Sequence, residues 1–266
     1  MRTIAVQSEW LSELWNYREV FYFLVWRQVK VRYKQTILGA MWAIIQPFFT
    51  MVVFTLFFGQ MARIPSDGVP YPIFSYSALL PWIYFSGALS LSGNSLVTNA
   101  NLLTKVYFPR ITIPATATLS GLVDFGIASV VLLGMMVYYR IPPTWELILW
   151  PVLIVPLVLL ALGVGMIFAA LNLKYRDIQY ALPFFVQLWL FVTPVIYPTS
   201  IIPEPLRILT AFNPLSGIIE AFRASLLPTR EVDWPQLLIS VGVTICVFIL
   251  GALYFHKTER TFADIV

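Results

Sequence analysis

Arg27-Gln-Val-Lys30-Val-Arg32-Tyr-Lys34 runs without a break into Gln35-Thr-Ile-Leu-Gly-Ala-Met-Trp42-Ala-Ile-Ile-Gln-Pro47. Four cations fall within eight residues, and the next charge is Arg63. A basic block followed by a long uncharged apolar run is the pattern of a chain entering a bilayer from its cytoplasmic side. The first apolar run, from Val20 to Trp26, is short and is followed by this block rather than by a small-residue cleavage site, so it does not read as a cleavable signal.

The composition agrees with a membrane protein. The chain is 59% hydrophobic and 11% charged, with mean hydropathy +0.80. Soluble domains carry roughly 25% charged residues, so lipid is the main solvent here. A formal charge of +4 does not point to nucleic acid, because the cations sit in short segments between apolar runs rather than on one soluble face.

Uncharged stretches of about 20 residues are long enough to cross a hydrocarbon core about 30 Å thick. Bounded by charges, they give six spans: 37–60, 73–96, 114–138, 147–171, 180–199 and 235–256. An even number of spans puts both termini on one side. Twelve of the 17 cations lie on that side: Arg2, Arg18, Arg27, Lys30, Arg32, Lys34, Lys105, Arg110, Lys174, Arg176, Lys257 and Arg260. Arg63, Arg140, Arg207, Arg223 and Arg230 face the other. The excess assigns both termini to the cytoplasm. The fold class is therefore an all-α polytopic membrane protein of one domain, residues 1–266.

Residues 1–35 precede the first span. Here Trp15, Tyr17, Phe21, Tyr22 and Trp26 interleave with charges, and Arg27, Lys30 and Lys34 share one helical face. Rings favour the headgroup level and cations the cytoplasmic leaflet, so an amphipathic helix lying on the membrane is expected. It serves as a docking element for a partner, as a topology anchor, or as both. The loop after the second span, with Leu102, Tyr107 and Phe108 beside Lys105 and Arg110, is more apolar than a solvated loop needs to be. It reads as a short helix near 98–106, then a turn at Pro109, seeking a partner surface.

Between spans five and six, residues 200–228 read as two short amphipathic helices, 204–212 and 214–227. Asn213 is a favourable N-cap and Pro214 suits the first helical position. Ile218, Ile219, Phe222 and Leu226 form an apolar stripe, and Glu220 can pair with Arg223 at i, i+3. Such a segment is a lid or gate over a pathway, or else an inert interfacial hairpin.

Asp124 is the charge inside the spans. A carboxylate at a helix centre costs about 2.5–3.5 kcal/mol to insert, so it faces protein or water, near Ser120 or Ser129. It serves in conduction or assembly, or it is a satisfied structural group. Lone Cys246 and His256 give neither a disulfide framework nor a metal site. No phosphate-binding loop, nucleophile elbow or metalloprotease motif is present, so no catalytic residues and no cofactor of the chain's own are expected.

Aromatic residues make up 16% of the chain. Many belong to interfacial belts or to lipid-facing packing. Trp42 and Phe49 nevertheless share a face with Gln46, and Phe185, Trp189 and Thr193 follow at steps of four near Gln187. Flat rings with scattered amides suit an extended carbohydrate, and no ion filter would be built this way.

The wording of four segments goes further. Residues 31–47, Lys105-Val-Tyr-Phe-Pro-Arg110, Asn172-Leu-Lys-Tyr-Arg176-Asp177-Ile and Phe212-Asn213-Pro214 resemble, in order and spacing, the membrane subunit of type-two ABC exporters of polysaccharide, such as those for O antigen and wall teichoic acid. The resemblance covers essentially the whole chain. It implies a homodimeric permease in the bacterial plasma (inner) membrane that moves lipid-linked polysaccharide between its protomers. It also implies two copies of a separate cytoplasmic ATPase, which bind the ATP and Mg. Carried over, the ATPase-docking residues are Arg27, Lys30, Arg32, Lys105, Tyr107, Phe108 and Arg110. Trp42, Gln46, Phe49, Phe185 and Trp189 fall to the pathway, and Tyr197, Asn213, Glu220 and Arg223 to the external gate. Capsule, teichoic acid, lipid or drug export is the alternative within the class. A secondary transporter is the rival outside it, and the single intramembrane charge and lack of internal repeats speak against that.

Overall fold

The structure, a computed structural model, describes residues 17–34, 38–100, 102, 108–203, 210–227, 231–259 and 262. Those residues are mainly helical, with no strand among them. Among them eight α-helices follow in order: α1 (Arg18–Lys34), α2 (Trp42–Phe54), α3 (Tyr71–Thr98), α4 (Thr112–Tyr138), α5 (Leu149–Lys174), α6 (Ile178–Val192), α7 (Pro214–Ala224) and α8 (Trp234–Glu259). A turn at Gly39–Met41 leads into α2, and a wider π turn at Thr55–Met61 extends it.

Four helical stretches among the described residues are long and apolar enough to cross a membrane: Gly39–Met61, Thr112–Tyr138, Trp145–Lys174 and Trp234–Glu259. The other two expected spans differ for separate reasons. α3 has ample length, with 28 residues, but it is rich in serine. Five of its six serines are turned back on their own helix: Ser75, Ser77, Ser86, Ser90 and Ser95 donate to carbonyls three or four residues earlier. Satisfied this way, they let α3 run buried through the bundle, packed along α4 and α5.

α6 is shorter than expected. Instead of running through 180–199 it has 15 residues and stops at Val192, giving a rise of roughly 22 Å against a core of about 30 Å. The cause is local. Thr193 precedes Pro194 and takes extended angles, φ −96° and ψ 137°, because a proline ring clashes with a helical residue before it.

α5 and α8 approach closely where Gly163 faces Gly251. A Cβ on Gly251 would overlap the Gly163 carbonyl oxygen. Small residues let backbones meet in this way when both helices already sit in an apolar medium. The main core runs along α3, from Ile73 to Leu89, and takes in Leu157 of α5 and Phe222 of α7. A second cluster at the basic end of the bundle joins Leu96, Phe108, Met166, Phe255 and Phe262.

α1 departs from the expected amphipathic helix. None of its residues is buried. Its aromatic and basic residues share a side rather than segregating: Lys30 lies 5.4 Å from the ring centre of Trp26. α7 departs in the opposite direction, since all of its residues are buried, the polar ones included.

Candidate functional site

Asp124 does not rely on Ser120 or Ser129. Those hydroxyls bond back to Ala117 and Phe125 of their own helix. The carboxylate instead pairs with the Arg32 guanidinium through one oxygen and accepts the Tyr33 hydroxyl through the other. Both partners come from the last turn of α1. Arg32 is able to do this because it lies on the far side of α1 from Arg27, Lys30 and Lys34, at about 100° per residue. Burial and the hydrogen bond to Asp124 push the Tyr33 phenol above its usual range, so it stays protonated as a donor. Sequence reasoning placed Arg32 among the docking cations and missed Tyr33. The sequence held only a partial signal: Arg32 is the one cation of the basic block that faces away from the others.

These groups line a cavity of about 350 Å³ enclosed by α1, α2, α3 and α4. Trp42 and Gln46 stand on its α2 wall, with Ser86 and Gly87 on α3. Trp42 is 55% exposed, leaving much of its ring open. Phe49 is exposed but does not line this cavity.

The other aromatic pair belongs to a separate ring cluster, with Trp189 half-buried and Phe185 still exposed. Trp189 meets Phe85 and Phe185 edge-on, at 5.0 and 5.1 Å between centroids, and Phe185 also packs on Phe168. The Trp189 indole donates to Asn213 at 3.0 Å. Trp189 and Phe185 are therefore absent from the walls of the cavity that holds Trp42 and Gln46.

Asn213 caps α7 as expected, accepting from the Leu215 amide at 3.2 Å. Its amide nitrogen donates to Thr193 at 3.0 Å. Glu220 pairs with Arg223 at 2.6 Å. Arg223 also donates to the Pro194 and Val195 carbonyls and stacks 4.0 Å over Phe74. The carbonyls freed where α6 breaks are thus met by an arginine of α7. Tyr197 donates to the Phe191 carbonyl at 3.1 Å. Residues 204–209, most of the first short helix expected in this segment, lie outside the described residues.

At the basic end, Arg27 and Lys30 are exposed. Phe108 is buried against the Phe255 and Phe262 cluster, and so does not offer its ring outward. Arg110 donates to the Glu259 carbonyl and lies 5.8 Å from the Phe262 ring. A cation there satisfies the last carbonyls of α8 and complements its dipole. Lys105 and Tyr107 lie outside the described residues.

The profile of the ABC-2 type transporter membrane family matches residues 19–227. The chain belongs to that family. The match runs from the start of α1 to just past α7, and so takes in the Asp124 cavity and the capped helix α7. Among named relatives of this ABC-2 chain, the O-antigen export system permease protein RfbA of Myxococcus xanthus is 30% identical over 257 residues, covering 96% of this chain and 98% of that one. The protein of the same name from Klebsiella pneumoniae is 28% identical over 245 residues, covering 90% and 92%. The polysialic acid transport protein KpsM of Escherichia coli is 26% identical over 241 residues, covering 88% and 91%.

Proposed function

We infer that this chain is the membrane-spanning, non-catalytic subunit of an ATP-driven exporter of lipid-linked polysaccharide. The observation that carries the reading is its end-to-end likeness to an O-antigen export permease, with 98% of that relative covered. In this reading two copies form the pathway and two cytoplasmic ATPase subunits bind ATP and Mg. The chain crosses the plasma membrane six times with both termini cytoplasmic, and α3 and α6 act as spans within the assembled dimer.

The exposed Arg27 and Lys30 meet the ATPase, together with Lys105 and Tyr107. Arg32, Phe108 and Arg110 act behind that surface, holding α1 and the end of α8. The open Trp42 ring and the Gln46 amide touch sugar. Phe49 follows them on α2, and Phe185 and Trp189 brace α6. Tyr197, Asn213, Glu220 and Arg223 make a fixed external wall, since a fully buried α7 has no solvent face on which to swing. An acidic capsular polymer is the second reading, favoured by the likeness to KpsM.

Co-purification tests the assignment. A nucleotide-binding ATPase is expected to copurify with the tagged chain, and export is expected to stop when the phosphate-binding lysine of that ATPase is replaced. Export that continues without ATP hydrolysis would overturn the reading.

A further inference from the structure

Asp124 and Arg32 are 92 residues apart in sequence, yet they and Tyr33 meet at the wall of the α1–α4 cavity. α1 has no fully buried residue, and Phe21, Leu24, Val25 and Val29 are half-buried on the side that also carries Arg32. Its polar links to α4 lie in its last turn, at Arg32 and Tyr33. The same helix carries Arg27 and Lys30 outward, while Arg32 and Tyr33 line the cavity opposite Trp42 and Gln46. A push on the outward face of α1 therefore has a short path to the cavity wall. That path runs through the Asp124 carboxylate, which is costly to leave without its partners in apolar surroundings.

We propose that Asp124 is a positioning residue for transport, tying α1 to α4 through Arg32 and Tyr33 so that displacement of α1 is carried to the cavity wall. The proposal rests on the ATP-driven reading, because it needs a partner that moves α1. It goes beyond that reading by assigning the carboxylate a part in coupling rather than in sugar contact. Interacting pairs of this kind show themselves by non-additive substitutions.

The test uses the full chain with its copurifying ATPase, in a strain lacking the chromosomal copy. Surface polysaccharide is compared with ATP hydrolysis by the purified complex. Asp124→Asn and Arg32→Gln are each expected to keep ATPase binding and hydrolysis within twofold, while surface polysaccharide falls at least tenfold. The exchange Arg32→Asp with Asp124→Arg is expected to recover export above either single variant. Unchanged export in Asp124→Asn overturns the proposal. So does a loss of export matched by equal losses of ATPase binding and thermal stability, which marks a purely structural carboxylate. If Asp124→Asn does not accumulate in the membrane, Tyr33→Phe and Arg32→Lys keep the carboxylate and carry the same readout, and normal export in both overturns it. Failure of the wild-type chain to bind any ATPase is a separate result, and it removes the functional reading itself.

Discussion

Trp189 on α6 donates its indole N–H to Asn213 at 3.0 Å, and that same oxygen accepts the Leu215 amide at the start of α7. One side chain thus caps a helix and ties down the end of its neighbour. The Asn213 amide completes the link by donating to Thr193, the extended residue at which α6 stops. Break, cap and brace are held together by a single asparagine.

Asn213→Ala removes the cap and both side-chain links at once. A lost cap costs about 1 kcal/mol, and a buried donor left without its acceptor about 1–3 kcal/mol more. We expect a total near ~2–4 kcal/mol from these two contributions, read as a lowered melting temperature of the detergent-solubilised protein. Asn213→Asp keeps the accepting oxygen and is expected to lose less. Equal losses in the two variants would show that the cap and the Trp189 link contribute nothing.

Arg223 is 1% exposed and its partner Glu220 is 7% exposed. Removing one member of a buried pair costs about 3–5 kcal/mol, whereas replacing both with apolar residues is often neutral. Arg223→Met is accordingly expected to be strongly destabilising, and Arg223→Met with Glu220→Leu milder than that single change. Recovery should be incomplete, because the Pro194 and Val195 carbonyls also lose their donor. The check is a double-mutant cycle on melting temperature, and additive effects would contradict the pairing.

The parts of this site that sequence made legible are local ones. Asn213-Pro214 announced a helix start, and Glu220 and Arg223 stand one helical turn apart, so their pairing followed from spacing alone. The early end of α6 was also written locally, in Thr193-Pro194, but the apolar run continuing to Tyr197 masked it. Hydropathy measures solvent preference, and a proline break in apolar surroundings leaves that preference unchanged. The partner of Asp124 was different in kind. No spacing rule connects residues 32 and 124, because only the packing of α1 on α4 brings them together. The burial of α7 was hidden for the same reason: its charged residues, Glu220 and Arg223, find their partners on α3, on the chain after α6 and within α7 itself.

Gly251 offers a sharper probe of helix packing. A Cβ there would overlap the Gly163 oxygen, which is backbone and cannot turn aside. Gly251→Ala must therefore push α8 from α5, at a cost of about 1–3 kcal/mol, the range for overpacking. At Gly87 a methyl group would meet nothing within 4 Å, so Gly87→Ala serves as the control and is expected to be neutral or slightly stabilising. A comparison of thermal unfolding settles the point, and equal behaviour of the two variants would refute the close approach.

Arg27 and Lys30 are exposed on the side of α1 away from Arg32, where Lys30 also lies over Trp26. Because they make no contact with the buried core, reversing them to glutamate should leave folding and insertion intact. A docking role then predicts a large loss of copurified ATPase. It also predicts that binding by the wild-type chain weakens as salt rises, since exposed charges are screened over about 10 Å at 0.1 M ionic strength. A mere topology anchor predicts the reverse pattern: normal ATPase binding, with some chains inserted in the wrong orientation. Pull-down across a salt series, set beside a protease-accessibility assay of orientation, separates the two. Unchanged ATPase recovery from Arg27→Glu with Lys30→Glu at every salt concentration would remove these residues from the docking surface.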